Sequence, residues 1–210
     1  MYKRQIGDEP FQYYSKFKNI SVAVDKKRRR GINKLIEHGV NLIILDDAFQ
    51  HRKVIPSYSL LLSDYSNLYF NDYLLPRGSL RESKKGSKRA DSIVITKCPE
   101  NFSQSDKNYL INRVKLSSNQ HIFFSKIKYS EELYSSSDTL NIKKLLNKKV
   151  NVVTGIVNSE VLISFLEDKN IAVEHFKYPD HCDYKEKDIL KFKDYITTVS
   201  YTHLRAHETP

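Results

Sequence analysis

Two adjacent carboxylates, Asp46 and Asp47, follow directly on the apolar run Asn41-Leu42-Ile43-Ile44-Leu45, and the amide of Gln50 and the imidazole of His51 come just after them. An apolar strand that delivers acids at its C-terminal end has the form of a Walker B element, in which a carboxylate holds the magnesium ion that bridges nucleotide phosphates. Magnesium is a hard ion and takes such oxygen ligands. An Asp-Asp turn capping the next segment gives the same letters, so this pattern alone leaves both readings open. Gly7-Asp8-Glu9-Pro10 sets two more acids in a turn ahead of a helix-like segment, where a carboxylate can be displayed to accept a proton; the plainer reading is an acidic first helical turn. Pro76-Arg77-Gly78-Ser79-Leu80-Arg81-Glu82 is a loop with charges of both signs, which by itself reads as solvated. Pro179-Asp180-His181 places an acid and an imidazole beyond an apolar strand, where they can orient or share a proton with a base or serve as passive hydrogen-bonding groups.

These residues need elements to hold them. Ile20–Val24 alternates like a strand, residues 29–38 put Ile32, Leu35 and Ile36 on one helical face ahead of Gly39, and Asn41–Leu45 is continuously apolar, as in a parallel strand covered on both faces. Together they predict a βαβ unit. Further strands are expected at 59–62, 92–96 and 121–128, with a polar helix over 103–116 between the last two. Residues 129–149 carry Ser135-Ser136-Ser137 and a run of lysines and read as a join between lobes. A second βαβ unit is expected from Val150–Val153, a helix over 158–169 with Val161, Leu162, Phe165 and Leu166 on one face, and Ala172–Phe176. The last stretch, 199–210, has neither apolar periodicity nor a cap; it resembles translated sequencing adapter and is set aside as a non-native tail.

Composition narrows the class. With 40% hydrophobic and 29% charged residues the 210-residue chain is of ordinary globular make-up. No apolar run approaches the roughly 18 residues that span a bilayer. Cys98 and Cys182 stand far apart with no metal-type spacing, which suits a reducing compartment. The 35 basic against 25 acidic residues, net +10, imply an anionic partner: nucleic acid, phosphate or an acidic membrane surface. The basic clusters Lys26–Arg30 and Lys84–Arg89 lack the interleaved aromatics of single-strand binders and read first as solvated faces, with anionic lipid or substrate phosphate as equally fitting partners.

Taken in order, Gly7-Asp8-Glu9-Pro10, Asp46-Asp47-Ala48-Phe49-Gln50-His51, Gly78-Ser79-Leu80-Arg81-Glu82, the stretch Lys88–Lys97, Thr154-Gly155-Ile156 and Tyr178-Pro179-Asp180-His181 resemble the tetraacyldisaccharide 4'-kinases over about residues 5 to 195. The resemblance implies an α/β fold with a P-loop NTPase-like, mostly parallel sheet core and a second, smaller α/β lobe. The core is expected over 1–128, lacking the P-loop strand and helix, the join over 129–149 and the second lobe, in part, over 150–198. It implies transfer of the ATP γ-phosphate, with Mg2+, to the 4'-hydroxyl of an acylated glucosamine disaccharide 1-phosphate. The expected setting is peripheral, on the cytoplasmic face of the bacterial inner membrane, as a monomer and with no nucleic-acid partner. By the same resemblance Asp8 is the general base and His181 its partner. Glu9, Asp46 and Asp47 serve magnesium and phosphate geometry, and Arg28, Gln50, His51, Arg81 and Glu82 line the nucleotide and substrate cleft. Ala48 stands where many members have Gly, and Cys182 where most have a second His. No Gly-x-x-x-x-Gly-Lys-Ser/Thr motif occurs, and the family places it upstream of Gly7, so the chain is expected to be a truncated, inactive fragment. The rivals are a magnesium-dependent phosphohydrolase built on Asp46 and Asp47 and a basic nucleic-acid-binding module.

Overall fold

Ser92-Ile93-Val94-Ile95-Thr96 is apolar toward both of its faces, and it becomes the central strand of the sheet. The computed structural model describes residues 6–134, 138–156, 158–180, 182, 185–188 and, as backbone, 206–209. Strands β1 (Leu60–Asp64), β2 (Ser92–Thr96) and β3 (His121–Phe124) pair in parallel in the order β1-β2-β3, with Leu62 opposite Val94 and Ile93 opposite Ile122. On β2 the side chains of Ser92, Ile93, Ile95 and Thr96 are all buried, as a strand flanked on both sides requires. Helix α1 (Asp8–Lys16) starts after Gly7, whose φ of 86° lies in the left-handed region that glycine reaches without a side-chain clash. Helix α2 is Arg28–Glu37, and α3 (Gln104–Val114) begins with a capping box in which Ser103 and Asp106 satisfy each other's backbone N–H groups. Two compact units emerge: one comprises the chain as far as Thr96 together with Asn101–Phe124, the other Lys97–Glu100 and the chain from Ser125 onward.

The expected strands at 20–24 and 41–45 are not formed: neither stretch enters a ladder, and the βαβ unit predicted there is absent. Leu42 is 77% and Ile44 86% exposed, whereas Ile43 and Leu45 are half-buried. A strand exists only with a hydrogen-bonded neighbour, and an apolar run records a tendency to be buried, not the presence of that neighbour.

In the second unit the predicted βαβ does close. Strands β7 (Lys149–Thr154) and β8 (Ala172–Lys177) run parallel, Val150 opposite Val173, joined through α4 (Glu160–Glu167). Leu162 and Leu166 of α4 pack with Ile142 and Ile171 into one core, lined by Tyr129, Leu145, Val150, Val152, Phe165 and Val173. Val161, expected on the inward face, is instead exposed, because the buried stripe of this short helix is the i, i+4 pair Leu162 and Leu166. Residues 129–149 hold the antiparallel pair β5 (Glu132–Tyr134) and β6 (Thr139–Asn141) and a 3-10 turn at Ile142–Leu145, whose Ile142 sits at the centre of that core. Strand β4 (Lys126–Tyr129) pairs antiparallel with β9 (Ala206–Thr209), inside the segment set aside as a tail. A ladder is made by backbone groups and does not require apolar periodicity.

Candidate functional site

The acids at 46 and 47 stand in a tight turn rather than at the end of a paired strand. Asp47 has a φ of 43°, a conformation that aspartate tolerates better than most residues. The turn continues through His51, whose N–H donates to Ala48 O at 2.8 Å, and Arg52, whose N–H donates to Gln50 O at 3.0 Å. Three side-chain ties bind this 46–52 loop to the segment 81–89. Arg81 Nη1 donates to Asp47 Oδ2 at 3.1 Å, Arg52 Nη2 to Glu82 Oε2 at 2.8 Å, and Arg89 Nη2 to Phe49 O at 3.1 Å. The first pair is largely exposed and adds little energy, so it orients more than it stabilises.

Glu82 is the hub. Its carboxylate also receives Arg89 Nη1 on Oε2 at 2.8 Å and Arg89 Nη2 on Oε1 at 2.9 Å, a bidentate fork, and its side chain is only 17% exposed. The Arg89 fork, with Arg52 behind it, holds the Glu82 carboxyl down at about 2, and Arg89 is correspondingly raised by Glu82. The Arg89 guanidinium also lies over the Phe49 ring, 4.6 Å from its centroid. Gly86 makes room for the fork: a Cβ there would stand 2.5 Å from Glu82 Oε2 and 2.9 Å from Arg89 Nη1. The segment is fastened to the sheet where β1 and β2 begin. Ser59 Oγ donates to Arg89 O at 3.0 Å, Ser59 N–H donates to Asp91 Oδ2 at 2.7 Å, and Gln120 Nε2 donates to Ser87 O and Ala90 O. These anchors are at the N-terminal ends of the strands, whereas the acids were expected at a C-terminal sheet edge.

Of the residues singled out in the sequence, Asp47, Arg81 and Glu82 are thus brought together. Asp46, Gln50 and His51 share the loop, are exposed, and make no side-chain hydrogen bond to a described residue. Arg28 is elsewhere engaged: on α2, its Nη1 donates to Asp25 O at 2.9 Å, beside the Asp25–Arg30 pair that lowers the Asp25 carboxyl. Glu9 is exposed on α1, the Asp8 side chain is not among the described parts, and His181 lies outside the described residues. Arg52 is not among the residues the sequence singles out, and Arg89 stands there both in a basic cluster and in the marked stretch Lys88–Lys97 without a role; the structure gives both a partner in Glu82.

Among the described residues no group of three or more His, Cys, Asp or Glu side chains gathers as a metal cage. Magnesium does not need one, since it is usually held through one or two carboxylates, with water and phosphate oxygens completing the shell. The exposed pair Asp46 and Asp47 fits that donor set, with one Asp47 oxygen already engaged by Arg81.

The family model described as tetraacyldisaccharide-1-P 4'-kinase matches residues 2–202. The chain belongs to that family. Curated tetraacyldisaccharide 4'-kinases include one from Flavobacterium johnsoniae, 38% identical over 186 residues, and one from Flavobacterium psychrophilum, 39% identical over 193. The alignments take in 88% and 90% of this chain but 54% and 56% of those proteins, so the chain spans about half the length of the curated relatives it matches. A member from Bacteroides thetaiotaomicron is 35% identical over 204 residues, with 91% of this chain and 54% of that protein covered. Among solved structures, the "apo" form of Aquifex aeolicus LpxK in complex with ATP matches with a TM-score of 0.67 at 23% identity, over 99% of this chain and 65% of that one. That likeness shows a shared α/β fold. Within the tetraacyldisaccharide 4'-kinase family, the Arg52–Glu82–Arg89 arrangement therefore joins three stretches that the resemblance marks: Arg52 directly follows the 46–51 motif, Glu82 ends the 78–82 motif and Arg89 lies in the stretch Lys88–Lys97.

Proposed function

We propose that this chain is part of a kinase that transfers the γ-phosphate of ATP to the 4'-hydroxyl of a tetraacylated glucosamine disaccharide 1-phosphate. The observation that carries the reading is the family match over residues 2–202, which contains every motif of the ordered set. In this reading Asp8 accepts the proton of the attacking hydroxyl and His181 shares or tunes its charge. Asp46 and Asp47, with Glu9, hold the magnesium ion, which when bound neutralises the charge on the β and γ phosphates. Arg81 aims the Asp47 carboxylate and offers its remaining donors to an anionic ligand, while Gln50, His51, Arg28 and Glu82 border the cleft. Catalysis then rests on placement and charge neutralisation, with no covalent intermediate on the protein. The +10 net charge supports peripheral attachment to an acidic membrane surface; the cytoplasmic face of the inner membrane and a monomeric state are part of the same reading by resemblance. Among the described residues no helix is long and apolar enough to cross a membrane.

Backbone N–H groups and the lysine of a Gly-x-x-x-x-Gly-Lys-Ser/Thr loop cradle the phosphates in such enzymes, and none of these 210 residues forms that motif. The chain by itself is therefore expected to be inert. The test is ATP-dependent phosphate transfer to the lipid disaccharide by residues 1–198 alone and by the product of the coding sequence extended upstream of codon 1. Transfer only by the longer form is expected, with Asp8→Asn lowering its turnover by about two to four orders of magnitude. Robust transfer by residues 1–198 overturns the inert-chain reading, and near-normal turnover in Asp8→Asn removes that residue from the base role. Phosphate release from monoesters without ATP would favour a hydrolase.

A further inference from the structure

We propose that Arg89 is a positioning residue of the candidate site: through Glu82 on one side and the carbonyl and ring of Phe49 on the other, it sets the loop that carries Asp46, Asp47, Gln50 and His51. Three hydrogen bonds leave one guanidinium, two to the Glu82 oxygens and one to Phe49 O, and its face covers the Phe49 ring. Arg52 closes the circuit from the loop back to the same carboxylate. Arg89 is itself 37% exposed on its side chain, but its backbone is fastened at Ser59 and flanked by the Gln120 bonds to Ser87 and Ala90. The rigid end of the tie is thus the sheet and the adjustable end is the loop. Among the described groups, no other tie joins the loop to a segment bonded so directly to the strands. Among the described residues, the loop's other side-chain ties are Arg52 to the same Glu82 and Arg81 to Asp47, the latter exposed at both ends.

The tie depends on shape as well as charge. A lysine at 89 keeps the positive charge but cannot form the fork on Glu82 and lie flat on Phe49 at once. An alanine at 86 keeps every charge yet intrudes on both partners, 2.5 Å from Glu82 Oε2. These two variants separate a geometric tie from simple charge balance. What the loop does once placed rests on the phosphoryl-transfer reading; the tie itself does not.

Hydrogen exchange of the 210-residue chain at neutral pH tests the proposal. The probes are the amides of His51, Arg52 and Val54, which donate to the carbonyls of Ala48, Gln50 and His51, and the control is Ile93–Ile95 in β2. Arg89→Ala is expected to speed exchange at the three probes about tenfold with β2 unchanged. Gly86→Ala should do the same, and Arg89→Lys should fail to restore protection. Unchanged probes in Arg89→Ala, or full restoration by lysine, overturn the proposal. If Arg89→Ala loosens β2 as well, Gly86→Ala decides: faster exchange confined to the probes supports the tie, and unaltered probes sink it. A failed transfer assay removes the phosphoryl-transfer reading without moving any of these rates.

Discussion

Two stretches of this chain read alike as strand, helix, strand, and only one of them closes. From Lys149 to Lys177 the two strands pair in parallel and the helix between them buries Leu162 and Leu166. From Ile20 to Leu45 the helix forms, but neither flanking run pairs, Ile36 is 57% exposed, and the one buried residue of α2 is Gly31. The closed stretch has third parties: Ile142 from the preceding turn and Ile171 from the loop ahead of β8 fill the space between helix and strands, with Tyr129 and Phe165 against them. The open stretch has no such filler among the described residues; its helix is rich in cations and carries a glycine within it. Apolar periodicity is a requirement that the chain places on its surroundings, and a βαβ unit forms where other residues meet it.

The contrast can be broken most directly by truncating side chains. Leu166→Ala should cost about 2–5 kcal/mol, as buried Leu truncations do, and chemical denaturation followed in the second unit measures it. A loss below about 1 kcal/mol would mean that the closed unit is not held by this cluster.

The next largest effect is expected from acid. The 46–52 loop hangs on ions rather than on an apolar core, and Glu82 is held at about 2, below the ordinary 4.5. A depressed carboxylate contributes stability above its unfolded value and loses it as the pH falls toward the folded one. Between pH 5 and pH 2 the His51 and Arg52 amides should therefore lose protection before those of β7 and β8. Glu82→Gln should remove that acid dependence, and simultaneous loss in both regions would contradict it.

Smaller effects sharpen the picture of the open stretch. Gly31→Ala should stabilise α2 by about 0.5 kcal/mol through helix propensity, since the added Cβ meets only Asp25 Cβ, at 3.4 Å. A fall in helical circular dichroism would show that position to be tighter than it looks. Ile44→Ser should change stability by less than about 0.5 kcal/mol, because the side chain is exposed. A cost comparable to that of Leu166→Ala would place Ile44 in a core.

Much of the fold was legible where one segment carries its own evidence. Ser92–Thr96 reads as a strand because both faces are apolar, and Ser103 with Asp106 marks a helix start within four residues. Ile20–Val24 and Asn41–Leu45 were misread because pairing depends on a neighbour that local pattern cannot display. In the site, Asp47, Arg81 and Glu82 were legible as motif members, and the structure joins them to one another's loops. The roles of Arg52 and Arg89 were not, since Arg52 lies just past its motif and an arginine in the Lys84–Arg89 run looks solvated until its partner's position is known. Gln120 was equally hidden: its side chain bonds carbonyls roughly thirty residues away.

Gly86 contributes to the site by what it lacks. It donates nothing and accepts nothing from the Glu82–Arg89 fork, yet the volume a methyl group would fill there is taken up by the two partners it would strike. A survey of this molecule by functional groups would pass over the position, and a screen for lost activity would find it without a chemical reason. Position 86 is therefore a place where the smallest possible enlargement acts on the fork by displacing the ends of the Glu82 and Arg89 side chains. The spacing of Glu82, Gly86 and Arg89 is a three-letter signature in which the middle letter is read as empty space.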